Sequence, residues 1–79
     1  MDQGDLLRRI TVDPHVLVGK PTIRGLRISV EQILRAQANG VPDQDLLDDY
    51  PELEAADIQA CLAYAAALVA EERVHAVGV

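Results

Sequence analysis

Gly19-Lys20-Pro21-Thr22-Ile23-Arg24-Gly25-Leu26-Arg27-Ile28-Ser29-Val30 gathers the strongest turn and helix-start signals of the chain into twelve residues. Ile23 and Ile28 flank a polar break in which Gly25 supplies the positive φ that a tight turn needs, so the segment is expected to form a small hairpin. Ser29 stands where an N-cap should, with Gln32 three residues on. The spacing predicts a helix starting at Val30, with the hydroxyl accepting from the Gln32 N–H and the Gln32 side chain reaching back. Without any chemistry attached, the same residues make an ordinary strand-to-helix connector.

Upstream of this segment, Met1 to Asp5 is polar and is expected to fray. Leu6 to Val12 reads as a short strand stopped at Asp13-Pro14, because proline lacks a donor and pushes its predecessor into extended geometry. His15-Val16-Leu17-Val18-Gly19 is a second brief apolar run. Downstream, a first helix is predicted from Val30 to about Asn39, with Val30, Ile33 and Leu34 on one face, ended by Gly40 in the left-handed conformation. Pro42-Asp43 opens a second, short helix that carries Leu46, Leu47 and Tyr50 and stops at Pro51. A third helix is expected from near Ala55 to about Val74, its broad apolar surface built from Ile58, Cys61, Leu62, Ala65, Leu68 and Val69. Three helices joined by short turns have the layout of a helix-turn-helix core.

At 79 residues the chain is expected to form one domain, residues 1–79, with a strand or hairpin region over 1–28 and a three-helix core over 29–76. A chain of this size buries only about 60% of its unfolded surface, so a partner or self-association is expected to supplement the core. One cysteine, two tyrosines and no charged amino terminus leading into an apolar stretch give neither a disulfide frame nor a signal peptide, and the cytoplasm is the expected compartment. The longest uncharged run, Ile58 to Ala70, is thirteen residues. That is too short for a bilayer span of about 20, so no membrane is expected as a partner.

Charge is unevenly distributed. Residues 1–40 carry six cations against four carboxylates, a balance of +2, while residues 41–79 carry Arg73 alone against nine, a balance of −8. Phosphate affinity is built from cations, so contact with nucleic acid is expected only from the first half, and the acidic half suits a basic protein partner.

Taken together, Ile10-Thr11-Val12-Asp13-Pro14, the segment Gly19 to Val30, Ala38-Asn39-Gly40, Leu46-Leu47-Asp48-Asp49-Tyr50-Pro51 and Asp57-Ile58-Gln59-Ala60-Cys61-Leu62-Ala63-Tyr64-Ala65 resemble the bacterial domain-of-unknown-function family 433 over most of residues 9 to 66. The resemblance implies a mainly α fold, a small homeodomain-like or winged-helix-like core preceded by short strands or a hairpin. It also implies a VapB-type antitoxin encoded beside a PIN-like ribonuclease toxin. Two positions depart from the family pattern: Leu26 follows the turn glycine where Thr or Ser is common, and Glu54 stands where a Thr or Ser commonly caps the third helix.

Candidate chemistry in the residues is sparse. His15 and His75 lie sixty residues apart with no third ligand at metal spacing, so no metal or other cofactor is implied. Cys61 among Ala60, Leu62 and Ala63 reads as a small core hydrophobe. Asp43, Asp45, Asp48 and Asp49 read as helix-start and solvated charges. Gly19-Lys20 lacks the rest of a phosphate loop. The expected class is non-enzymatic.

Arg24 and Arg27 flank the turn glycine and are expected to point outward together, toward phosphates or a partner's carboxylates, the bland alternative being a pair of solvated surface charges or salt bridges to the acidic half. With Lys20 and Arg35 they form the expected nucleic-acid or partner-binding set. From Ala36 to Glu72 there is no Lys or Arg, so readout of DNA by the third helix is not expected. Its alanine-rich face, with Ile58, Leu62, Ala65, Leu68 and Val69, is the expected association surface, making the chain a homodimer or a heteromer. The leading expectation is thus an antitoxin-like protein that binds and neutralises a PIN-like ribonuclease and also binds its operator DNA through the first half. The alternative is a stand-alone helix-turn-helix transcriptional regulator.

Overall fold

A computed structural model describes residues 2–71. Four α-helices surround a two-stranded antiparallel sheet: α1 (Gln3–Leu7), β1 (Ile10–Val12), β2 (Pro21–Ile23), α2 (Val30–Ala38), α3 (Asp43–Asp49) and α4 (Ala55–Glu71), with a 3-10 turn at Leu17–Gly19. The chain is mainly helical with a small β-ribbon near its start, as expected. The ribbon pairs Ile10 with Ile23, Thr11 with Thr22 and Val12 with Pro21.

The signals around Ser29 translate into structure directly. Ser29 has extended backbone and its hydroxyl accepts from the Gln32 N–H at 2.9 Å. The Gln32 side chain does not reach back, however: its amide nitrogen donates to the Tyr50 hydroxyl at 2.7 Å, fastening α2 to the end of α3. Gly40 follows α2 at φ +84°, and Pro42 precedes α3 with two acids in the first turn, where the helix dipole favours them.

The turn expected at Gly25 also forms. Leu26 N–H donates to the Ile23 carbonyl at 2.8 Å and Ile23 N–H to the Ile28 carbonyl at 3.1 Å. Both central residues have positive φ, Arg24 at 48° and Gly25 at 74°, the backbone signature of a type I′ turn. The arms differ from expectation: Ile28 belongs to no strand, only Thr22 and Ser29 bridge across the turn, and the regular ladder joins β2 to β1. Pro21, without an N–H, limits what β2 offers on that edge, and the chain leaves extended geometry at Ser29 to start α2.

Two other expectations are corrected. Gln3–Leu7 is helical, not frayed or extended, because the Asp2 carboxylate caps the Asp5 N–H at 2.8 Å and the helix packs on α4. The strand therefore begins at Ile10 rather than Leu6. The apolar run before the hairpin is no strand; Leu17 and Val18 sit at φ 49° and 57°, followed by Gly19 at 80°, and curl the chain back beneath Pro14. The expected end of the third helix at Val74, together with Arg73 and His75, lies outside the described residues.

The core is continuous. Ile23 and Ile28 from the turn, Val30 and Ile33 from α2, Leu46 from α3, Leu53 from the connector and Ile58 and Cys61 from α4 are all buried together. Burial pushes the Cys61 thiol up to about 11, with the nearby Asp57 charge adding to it, which leaves the sulfur an inert packing group at neutral pH.

Candidate partner-binding site

Helix α4 outlasts the elements that cover it. At 17 residues it is about 25 Å long, against about 13 Å for the 9 residues of α2. The stripe that Asp57, Ile58 and Cys61 bury in its first two turns continues at helical spacing through Tyr64, Ala65 and Leu68. There it loses its cover. A groove of about 400 Å³ opens between α2 and α4, lined mainly by Pro21, Val30, Leu34, Ala38, Ala65 and Leu68. A second hollow of about 240 Å³ lies on the other flank of Tyr64 and Leu68, against Leu7, Ile10 and Val12.

Of the residues expected on the association surface, Leu62, Leu68 and Val69 are 49%, 44% and 70% exposed and Ala65 is half-buried on the groove floor. Ile58 is not on that surface. It is sealed in the core because α2 and α3 close over the first turns of α4.

The basic set is dispersed rather than gathered. Lys20 Nζ donates to Glu31 Oε1 at 3.0 Å and Arg35 Nε to Glu31 Oε2 at 2.9 Å, so one carboxylate on α2 holds two of the four expected cations. Hydrogen bonds from Arg35 and then Lys20 hold the Glu31 carboxyl below its usual range. Arg24 does not point outward with Arg27. Its Nε donates to Asp57 Oδ1 at 3.1 Å and its Nη2 to Asp57 Oδ2 at 2.8 Å, a bidentate fork, and Nη2 also donates to the Glu52 carbonyl at 2.7 Å. Arg27 is exposed and is the one cation among the described residues without a carboxylate partner.

Asp57 is the residue that sequence reasoning missed. Its side chain is fully buried, yet every acceptor position is used: Arg9 Nη1 donates to Oδ1 at 3.0 Å alongside Arg24 Nε, and the Glu54 backbone N–H donates to Oδ2 at 2.8 Å alongside Arg24 Nη2. Arg9 Nη1 also reaches Glu54 Oε1 at 2.7 Å. The Glu54 bond is one half of a capping box, with the carboxylate at the third helical position reaching back to the residue before α4. This resolves the missing Ser or Thr at position 54. Burial disfavours the Asp57 charge, but the hydrogen bonds from Arg24, from the Glu54 N–H and from Arg9 outweigh it and hold the carboxyl below the ordinary range. The same contacts raise both arginines, the Glu54 bond leading for Arg9 and the Asp57 bond for Arg24. The cluster joins the sheet to α4 and uses Arg9 and Arg24 structurally.

Among the described residues, what remains on the surface is an apolar groove beside α4, an acidic α3 and one unpaired arginine. Among the described residues no helix is long and apolar enough to cross a membrane. Residues 10–65 match the family described as "Protein of unknown function (DUF433)". No curated protein and no solved structure matches the chain.

Proposed function

Since the chain belongs to the DUF433 family, whose description assigns no activity, we propose its role from its own surface: a non-enzymatic, antitoxin-like module that captures a PIN-like ribonuclease through the groove between α2 and α4. The observation that carries this reading is the uncovered apolar stripe of α4. A run of exposed Leu62, Leu68 and Val69 beside a groove of about 400 Å³ is a surface that a partner's side chains fill with favourable burial. The acidic α3 and its connector, with Asp43, Asp45, Asp48, Asp49 and Glu52 exposed, favours approach of a basic partner, and a nuclease that binds RNA presents one.

Operator binding has less support. Phosphate affinity needs cations that are available to displace counterions, and of the four expected cations Lys20, Arg24 and Arg35 are engaged within the chain, which leaves Arg27 of that set. The same argument weighs against the stand-alone transcriptional regulator, whose reading helix would be α4, a helix without Lys or Arg.

Co-expression with a PIN-like ribonuclease encoded beside it tests the reading. The wild-type chain is expected to co-purify with the nuclease and restore growth, and Ala38→Arg, an exposed position lining the groove, to lose both while keeping its helical circular dichroism. Undiminished neutralisation by Ala38→Arg, or a nuclease that never co-purifies, refutes the assignment.

A further inference from the structure

Strand β1 is an open edge, and its hydrogen-bonding phase can be read from its neighbours. The Arg24 N–H donates to the Arg9 carbonyl at 2.7 Å, so Arg9 and Arg24 form a hydrogen-bonded pair of the ladder. In an antiparallel ribbon such pairs alternate, which makes Thr11–Thr22 the next one and leaves Ile10–Ile23 and Val12–Pro21 as non-hydrogen-bonded pairs. The Ile23 N–H, turned away from β1 toward the Ile28 carbonyl, agrees with this phase, as does a proline opposite Val12. The N–H and C=O groups of Ile10 and Val12 therefore point to the outer edge of β1. Among the described residues no backbone partner takes them, and α1 packs on α4 rather than along this edge.

The side chains around this edge are apolar. Ile10 and Val12 share a face with the hollow of about 240 Å³ formed with Leu7, Tyr64, Ala67 and Leu68, and Val12 is 61% exposed. A strand added to the edge would place its own alternate side chains over that hollow.

From these features the geometry points to a second copy of this chain as the added strand, pairing β1 with β1 across a two-fold axis at Thr11 to make a four-stranded sheet. Only that register uses all four open residues, two on each copy: Ile10 exchanges two hydrogen bonds with Val12 of the second copy, and Val12 does the same with Ile10. It stacks Ile10 on Val12 at both pairs and covers the exposed valine. Shifting the centre to Val12 would put Ile10 opposite Pro14, which has no N–H to give, and centring on Ile10 would set Val12 opposite Arg8. The interface is isologous and leaves the groove between α2 and α4 free in both copies.

Sedimentation equilibrium of the full chain tests this. Wild type is expected to be a dimer. Val12→Pro removes only an outward-facing N–H, since Val12 gives none to β2, and is expected to be a monomer with unchanged circular dichroism; Val12→Lys, which leaves the backbone intact and places a charge on the apolar edge, is expected to match it if the proline disturbs folding. Leu62→Glu on α4 is expected to remain dimeric. In Thr11→Cys the two cysteines face each other at a non-hydrogen-bonded pair, where Cα atoms lie about 4.5 Å apart, and air oxidation is expected to link them into a covalent dimer. A monomeric wild type, a dimer surviving both Val12 variants, or a dimer broken by Leu62→Glu overturns the assignment, the last placing self-association on α4.

Discussion

Replacing Asp57 with asparagine keeps the shape of the side chain and removes its charge, so the change isolates what the buried cluster contributes. Each Asp57 oxygen accepts two hydrogen bonds, from Arg9 and Arg24 on one and from Arg24 and the Glu54 N–H on the other. An amide nitrogen in place of either oxygen would face two donors and leave them unpaired. Removing one member of a buried ion pair costs about 3–5 kcal/mol. The low end applies because the Arg9 and Arg24 side chains keep 20% and 35% of their surface in water, where their charges are partly solvated once the carboxylate is gone. A loss of about 3 kcal/mol, at roughly 4–8 °C per kcal/mol for a domain of this size, lowers the melting temperature by about 12–24 °C. Thermal melts followed by circular dichroism at neutral pH measure it. The folded Asp57 carboxyl is held below its unfolded value of about 3.9, so its contribution is fully present above that pH and is lost as pH falls through the folded value. The gap between wild type and Asp57→Asn should accordingly be constant above about pH 5 and close on acidification. A drop below the roughly 4 °C that 1 kcal/mol produces, or a gap that widens in acid, refutes the view that the charge and its arginines hold the sheet to α4.

Two further outcomes follow from the backbone. Val18 is 95% exposed at φ 57°, so Val18→Gly relieves a left-handed β-branched residue without losing burial and is expected to raise the melting temperature by a few degrees, about 1 kcal/mol; a lowered value would mean the side chain is packed. Gly25→Val is expected to cost about 1 kcal/mol or more through φ alone, because a Cβ at Gly25 meets nothing within 4 Å, and an unchanged denaturation midpoint would show that the turn can adopt another geometry.

The local parts of the fold were legible in the sequence because their causes are local. Ser29 to Gln32, Gly40, Pro42-Asp43 and Pro51 act over a few residues, and α2 and α3 begin and end where those signals place them. The stripe of α4 was legible from its spacing as well, although which of its turns are covered was not. Ile58 and Leu68 look alike in the sequence and differ only because α2 is shorter than α4. The cluster at Asp57 was illegible for a different reason. Arg9 and Arg24 stand 48 and 33 residues from it, and although its place three residues after Glu54 marks a helix-start carboxylate, nothing in local spacing pairs it with those arginines. Arg24 and Arg27 were expected on an outer surface because they flank a turn, whereas Arg24, at φ 48° beside Gly25, forks onto the buried Asp57. Helix α1 was missed because five residues carry too little periodicity to register, and its hold on α4 comes from tertiary contact.

The reach of those arginines also sets an order of assembly. Turns, caps and the α2–α3 connection close over a few residues and form early, whereas the Asp57 contacts close loops of 33 and 48 residues whose entropy must be overcome first. Two strands of three residues have little tendency to persist before that closure. The sheet and α1, both joined to α4 across much of the chain, are therefore expected to lock after the α2–α3 unit. Interactions made after the transition state act on the rate of escape from the native basin, so Asp57→Asn is expected to speed unfolding more than it slows folding.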